Sequence, residues 1–95
     1  MSEWNPDPSA TISHRLGAGP AGLGYTRKRR SCPDIWEMSD GTLAVVGVDM
    51  TDHYREALPE DLHIHFEDER LVIIPRAIFE SAMEALSRQD EPAFA

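Results

Sequence analysis

An internal disulfide is the first thing this chain cannot form. Its 95 residues contain one cysteine, Cys32, so packing alone must hold the fold, as suits a reducing compartment. No apolar run approaches the ~20 residues that span a bilayer. The first two dozen residues lack the basic-then-apolar order of a secretory leader. Neither CxxC nor HExxH occurs, which removes the strongest zinc signatures. These absences predict a soluble, cytoplasmic protein without a membrane partner.

The charge is lopsided. Residues 1–30 carry five basic side chains against two carboxylates, whereas residues 31–95 carry four arginines against fifteen carboxylates. An acidic body repels nucleic acid and anionic lipid at long range. The run Arg27-Lys28-Arg29-Arg30 offers only a weak, salt-sensitive contact to phosphates.

Length and composition bound the rest. About sixty-five residues have the apolar content to fold, near the lower limit for one stable core. Residues 1–31 hold four of the six glycines and three of the seven prolines, with no sustained apolar period. They read as a flexible arm, residues 1–30, in which Thr11–Leu16 makes at most a scrap of strand or one helical turn without a partner. The body is 31–88, and 89–95 is a frayed polar tail.

Within the body, Asp34–Met38 alternates, Asp40-Gly41 marks a hairpin turn, and Thr42–Val48 is apolar on both faces. Gly47 inside that run signals a bulge or a close backbone approach. Asp49 and Thr51 are placed to cap a helix that Pro59 ends, with Tyr54, Ala57 and Leu58 as its stripe. His63–Glu67 alternates again as a third strand, and Arg70–Ile74 is a fourth. Pro75 suits the start of a final helix, on which Ile78, Phe79, Ala82, Met83 and Leu86 form the apolar face. The expected fold is α+β in the order ββαββα. Its four-stranded mixed sheet has strand order 1-2-4-3, with two helices on one face.

Few features carry chemistry. Gly17-Ala18-Gly19-Pro20-Ala21-Gly22 spells the dinucleotide fingerprint and resembles the opening of many flavoproteins. That motif needs a buried strand before it and a helix after it. Ser13–Leu16 is not such a strand and Pro33 leaves little room for the helix, so the expectation is a linker and no cofactor. His63 and His65 share the outward face of a strand with Glu67 nearby, a spacing that can ligate a metal. The simpler account is a solvated strand face, and no metal is expected. Cys32 follows Arg29 and Arg30, which would favour its thiolate, yet no base is placed beside it. No catalytic residue emerges.

Two likenesses complete the reading. Arg70–Ile78 (RLVIIPRAI) resembles the strand-then-IPR segment of AbrB-type swapped-hairpin DNA-binding proteins, which implies hairpins exchanged between subunits and basic loops facing DNA. Here the loops are acidic. Residues 31–78, with CPDIWEMSDGTLAVVGVDMT, ALPED and ERLVIIPRA, resemble small uncharacterised actinobacterial proteins, which implies an accessory protein rather than an enzyme.

The expected function is therefore a small regulatory or accessory module that binds another protein or itself. Two helices cover one side of a sheet only, so the other side, with Trp36 or Ile35 and half of each two-sided apolar strand, is the expected contact. Trp36, Val46 and Val72 are its candidate residues, the face that each takes being open. The alternatives are a swapped-hairpin transcription factor and a small metal-dependent enzyme.

Overall fold

The computed structural model describes residues 4–19 and 33–89. Within them the chain is α+β, with two antiparallel sheets and two helices. β1 (Ile12–Arg15), β2 (Asp34–Met38) and β3 (Leu43–Val46) form a three-stranded sheet in the order β1-β2-β3. β4 (Val48–Asp49) and β5 (Val72–Ile73) pair as a second sheet. α1 (Thr51–Tyr54) follows β4, and α2 (Arg76–Gln89) closes the described chain. The expected single four-stranded mixed sheet does not form, and neither does its parallel crossover.

The β2–β3 hairpin follows from its turn. Gly41 has φ +86°, a conformation that costs glycine nothing. The Asp40 carboxylate accepts the Thr42 hydroxyl at 2.6 Å and the Thr42 N–H at 3.0 Å. The hydroxyl bond is the main cause holding the Asp40 carboxyl below its ordinary value.

Beyond the hairpin, the long apolar run is cut at Gly47. A Cβ there would sit 2.7 Å from the Ile73 carbonyl oxygen, so the glycine marks the close approach of two backbones. The strand changes partners at that point, from β2 to β5.

Two expected elements are shorter or absent. α1 makes a single turn. Its N-cap is Met50, with no side-chain cap, because Asp49 spends its carboxylate on the Thr51 N–H and hydroxyl. Thr51, 1% exposed, then accepts the Leu71 N–H at 2.7 Å and ties α1 to the approach to β5. His63–Glu67 is not a strand. Its backbone bonds are consumed locally: the His65 N–H goes to the Glu69 carboxylate, and the His65 carbonyl accepts the Asp68 and Glu69 N–H groups. The alternation survives as exposure, with Leu62, Ile64 and Phe66 half-buried between exposed histidines.

The largest departure from expectation lies in the N-terminal region. Ile12–Arg15 is a strand, paired antiparallel with β2, and Leu16 continues it through a bond from its N–H to the Ile35 carbonyl. The core is Leu16, Ile35, Ile78 and Ala82, each at most 3% exposed. The supposed arm thus supplies a core residue, while residues 1–3 and 20–32 lie outside the described chain.

That strand also sets the rotation of α2. Gly17 (φ +76°) lies so close to Ser81 that a Cβ would fall 2.4 Å from its hydroxyl oxygen, and the Ala18 N–H bonds to that same hydroxyl. The helix therefore buries Ile78, Ala82, Ala85 and Leu86, and Phe79 and Met83 of the expected stripe are half exposed. Gln89, expected in a frayed tail, is the last helical residue and is hydrogen-bonded.

Two measurements test this architecture. Leu16→Ala should lower unfolding free energy by about 2–5 kcal/mol, the usual cost of truncating a buried leucine. An unchanged urea midpoint would contradict the packing of β1. Gly17→Ala and Gly41→Ala both force a side chain into positive φ at about 1–3 kcal/mol. Gly17→Ala must also displace the Ser81 backbone, whereas nothing lies within 4 Å of the Gly41 position. Gly17→Ala should therefore cost clearly more.

Candidate interaction face

The register assigns each side chain to a face. Arg15 pairs with Trp36, Trp36 with Ala44, and Asp34 with Val46, so these five share one face of the sheet. Leu16, Ile35 and Glu37 take the opposite face, under α2. The face away from α2 is the outer face, and its centre is built around a buried carboxylate.

Asp34 is 6% exposed. An unpaired buried charge would cost several kcal/mol, about the worth of a small domain's margin, so its partners decide whether this arrangement is tolerable. Arg15 Nε donates to both its oxygens, at 3.1 and 2.9 Å. Trp36 Nε1–H donates at 2.8 Å and the Ile35 N–H at 3.1 Å. Among the described residues no buried side-chain polar atom lacks a partner. The Arg15 guanidinium also lies 4.7 Å from the Trp36 ring centroid, a cation–π stack. Trp36 is thereby held at its nitrogen and on its face. Val46, beside it, is 53% exposed.

Of the three expected contact residues, the structure brings Trp36 and Val46 onto one face. Val72, 37% exposed, stands apart on β5 opposite Asp49. The expectation omitted Arg15 and Asp34. The signal was present: Asp34 and Trp36 are two apart on a strand, and Ile12, His14 and Leu16 alternate with Ser13 and Arg15.

A second cluster joins the far end of α2 to the sheet. His14 Nε2 lies 2.8 Å from Gln89 Oε1 and 3.2 Å from Glu37 Oε1, while Gln89 Nε2 donates to Glu37 Oε1 at 2.9 Å. The Ser13 hydroxyl is 3.1 Å from His14 Nδ1. These groups clasp the last helical turn to β1 and β2.

The histidine pair of the sequence also shares a location. His63 and His65 line an open cleft of about 590 Å3 with Trp4, Asn5, Ile64, Asp68 and Glu69, but Glu67 is not among its walls. His65 Nδ1 is engaged by the Asp68 carboxylate. That hydrogen bond, helped by the charge of Asp68, raises the His65 pKa above its ordinary value. Among the described residues no three His, Cys, Asp or Glu side chains converge in a way that could hold a metal. Gly17 and Gly19 of the glycine-rich stretch follow an antiparallel strand, and Gly17 abuts the middle of α2. The strand before the fingerprint is therefore antiparallel, unlike the buried parallel strand that the motif requires. The second half of the fingerprint, Cys32 and Arg27–Arg30 lie outside the described residues. No described helix is long and apolar enough to cross a membrane.

No family model matches the chain, and comparisons with curated proteins and with solved structures find nothing similar.

The His65–Asp68 pair has a worked pH sign. Because the folded pKa is raised, the pair's support is fully present below the ordinary histidine value, about 6.5. It is lost as pH rises through the raised value. In an NMR titration Asp68→Asn should bring the His65 midpoint down; an unmoved midpoint would exclude the pairing.

Proposed function

We propose that this chain is a small acidic interaction module, regulatory or accessory in role, that acts by binding protein rather than by catalysis. The observation that carries the reading is the outer sheet face. Trp36 and Arg15 are the residue types that most often dominate binding energy, and both are immobilised here before any partner arrives. Trp36 is fixed by the Asp34 carboxylate and the Arg15 stack, with exposed Val46 beside it. A rigid anchor loses little side-chain entropy on association.

The remaining apolar surface supports the same reading. Val48, Met50, Tyr54, Ile73, Ile74 and Pro75 line a cleft of about 410 Å3 between the second sheet and its flanks. Phe79 and Met83 project half exposed from α2. Such surface marks contact sites on proteins of this size. With a net charge of −8, the partner surface is neutral or basic, and nucleic acid is disfavoured. A cytoplasmic setting and a homodimeric state complete the proposal.

Trp36→Ala and Val46→Lys test it. Val46 is already half in water and stands opposite the Asp34 carboxylate, so Val46→Lys should leave the helical circular dichroism intact. Either variant should lose at least about 1.4 kcal/mol of association free energy, a tenfold or greater weakening. Sedimentation for self-association, and affinity capture for another protein, provide the readout. Folded variants that associate as the parent does would remove the outer face from the mechanism.

A further inference from the structure

Among the described residues β3 is an edge strand, and the hydrogen-bond pattern of the hairpin shows what that edge presents. Met38 N–H bonds to the Thr42 carbonyl on the β3 side of β2, whereas the Ile35 carbonyl accepts Leu16 N–H on the β1 side. Backbone groups alternate sides along an antiparallel ladder. Those of Ala44 and Val46 therefore face β2, and those of Leu43 and Val45 face outward. Among the described residues no strand meets them. Leu43 and Val45 themselves are 47% and 45% exposed.

The two edges of this sheet differ in kind. β1 ends the other side with Ser13, His14 and Arg15, and its register shifts between Ile12 and His14. Polar side chains and an irregular ladder are how proteins guard an edge against pairing. β3 has neither device. From Gly41 to Val48 there is no ionisable side chain and no proline, in a body that is otherwise densely acidic.

We propose that the β3 edge pairs with the β3 edge of a second copy of this chain, joining two three-stranded sheets into one continuous antiparallel sheet. The strand is its own complement. A two-fold axis brings like strands together antiparallel, and pairing through the outward groups sets Leu43 opposite the partner copy's Val45. Ala44 then faces its own counterpart on the axis, as a non-hydrogen-bonded pair. The exposed Leu43 and Val45 of both copies gather on the α2 side of the joined sheet. Two strongly acidic bodies meet along a stretch bare of charge. A β3-to-β1 contact would instead be heterologous and open-ended, and β1 is guarded against it. The inference rests on the interaction-module reading for the premise that the apolar surface is a contact; the occupant and register come from the strand edge alone.

A single cysteine tests the register. In the full chain with Cys32→Ser, Ala44→Cys places two thiols on the axis. Their Cα atoms would be about 4.5 Å apart, within the ~4.4–6.8 Å that a disulfide spans. Mild oxidation should yield a covalent dimer. Val46→Cys in the same background should not crosslink, because its counterparts lie roughly 13 Å apart along the strands. Leu43→Lys, at a half-exposed position that tolerates charge in the monomer, should weaken the dimer about tenfold or more by sedimentation. A monomeric parent at high micromolar concentration, or a dimer in which Ala44→Cys fails to crosslink, overturns the proposal. If the parent is monomeric while Trp36→Ala loses capture of another protein, the edge inference falls and the interaction module stands. If Ala44→Cys crosslinks while Trp36→Ala changes nothing, the edge stands and the outer face falls.

Discussion

The burial of Leu16 couples three parts of the molecule that are remote in the chain. It extends β1, hydrogen-bonds to Ile35 on β2, and packs in one cluster with Ile78 and Ala82 of α2. A domain with only four fully buried apolar side chains among its described residues draws most of its hydrophobic stabilisation from that one contact zone. The rotation of α2, the positive φ of Gly17 and the placement of Ser81 all follow from making room for it. The helix lies over β1 and β2, and β3 is left at the margin of its cover.

Asp34 is the polar counterpart of that zone, one residue before Ile35 and pointing to the other side of the sheet. A buried carboxylate is destabilising unless each lone pair is used, and here three side-chain bonds and one backbone bond use them. The arrangement commits Arg15 and Trp36 to one geometry. The rotamer freedom of both side chains is thereby lost on folding.

Charge and apolar surface are segregated along the chain. The carboxylates of α1, the 60–69 loops and α2 solvate elements that touch the core through few residues, while the strands from β3 to β5 carry aliphatic side chains open to water. The first feature gives the body a strongly negative surface. The second leaves aliphatic surface open to water at an edge and on a sheet face, the kind of surface that strand pairing or sheet packing buries.

The sequence by itself determined several features that depend on neighbours in the chain. Asp40-Gly41 specified the hairpin because only a residue without a Cβ sits easily at φ +86°, and Gly47 announced a backbone approach. Pro75 and the spacing of Ile78, Ala82 and Leu86 specified the last helix, whereas the face shared by Trp36 and Val46 came from the strand register. Tertiary structure alone decided the rest. Whether Ile12–Arg15 was a strand depended on an open edge of β2 twenty-one to twenty-six residues away, and a four-residue alternation is too short to reveal its partner. Whether His63–Glu67 was a strand depended on what its backbone could bond to; the side chain of Glu69 and its own turn were nearer than any ladder. Short periodic segments carry a face but no address, because β pairing is a contact between separate segments and its free energy belongs to both of them.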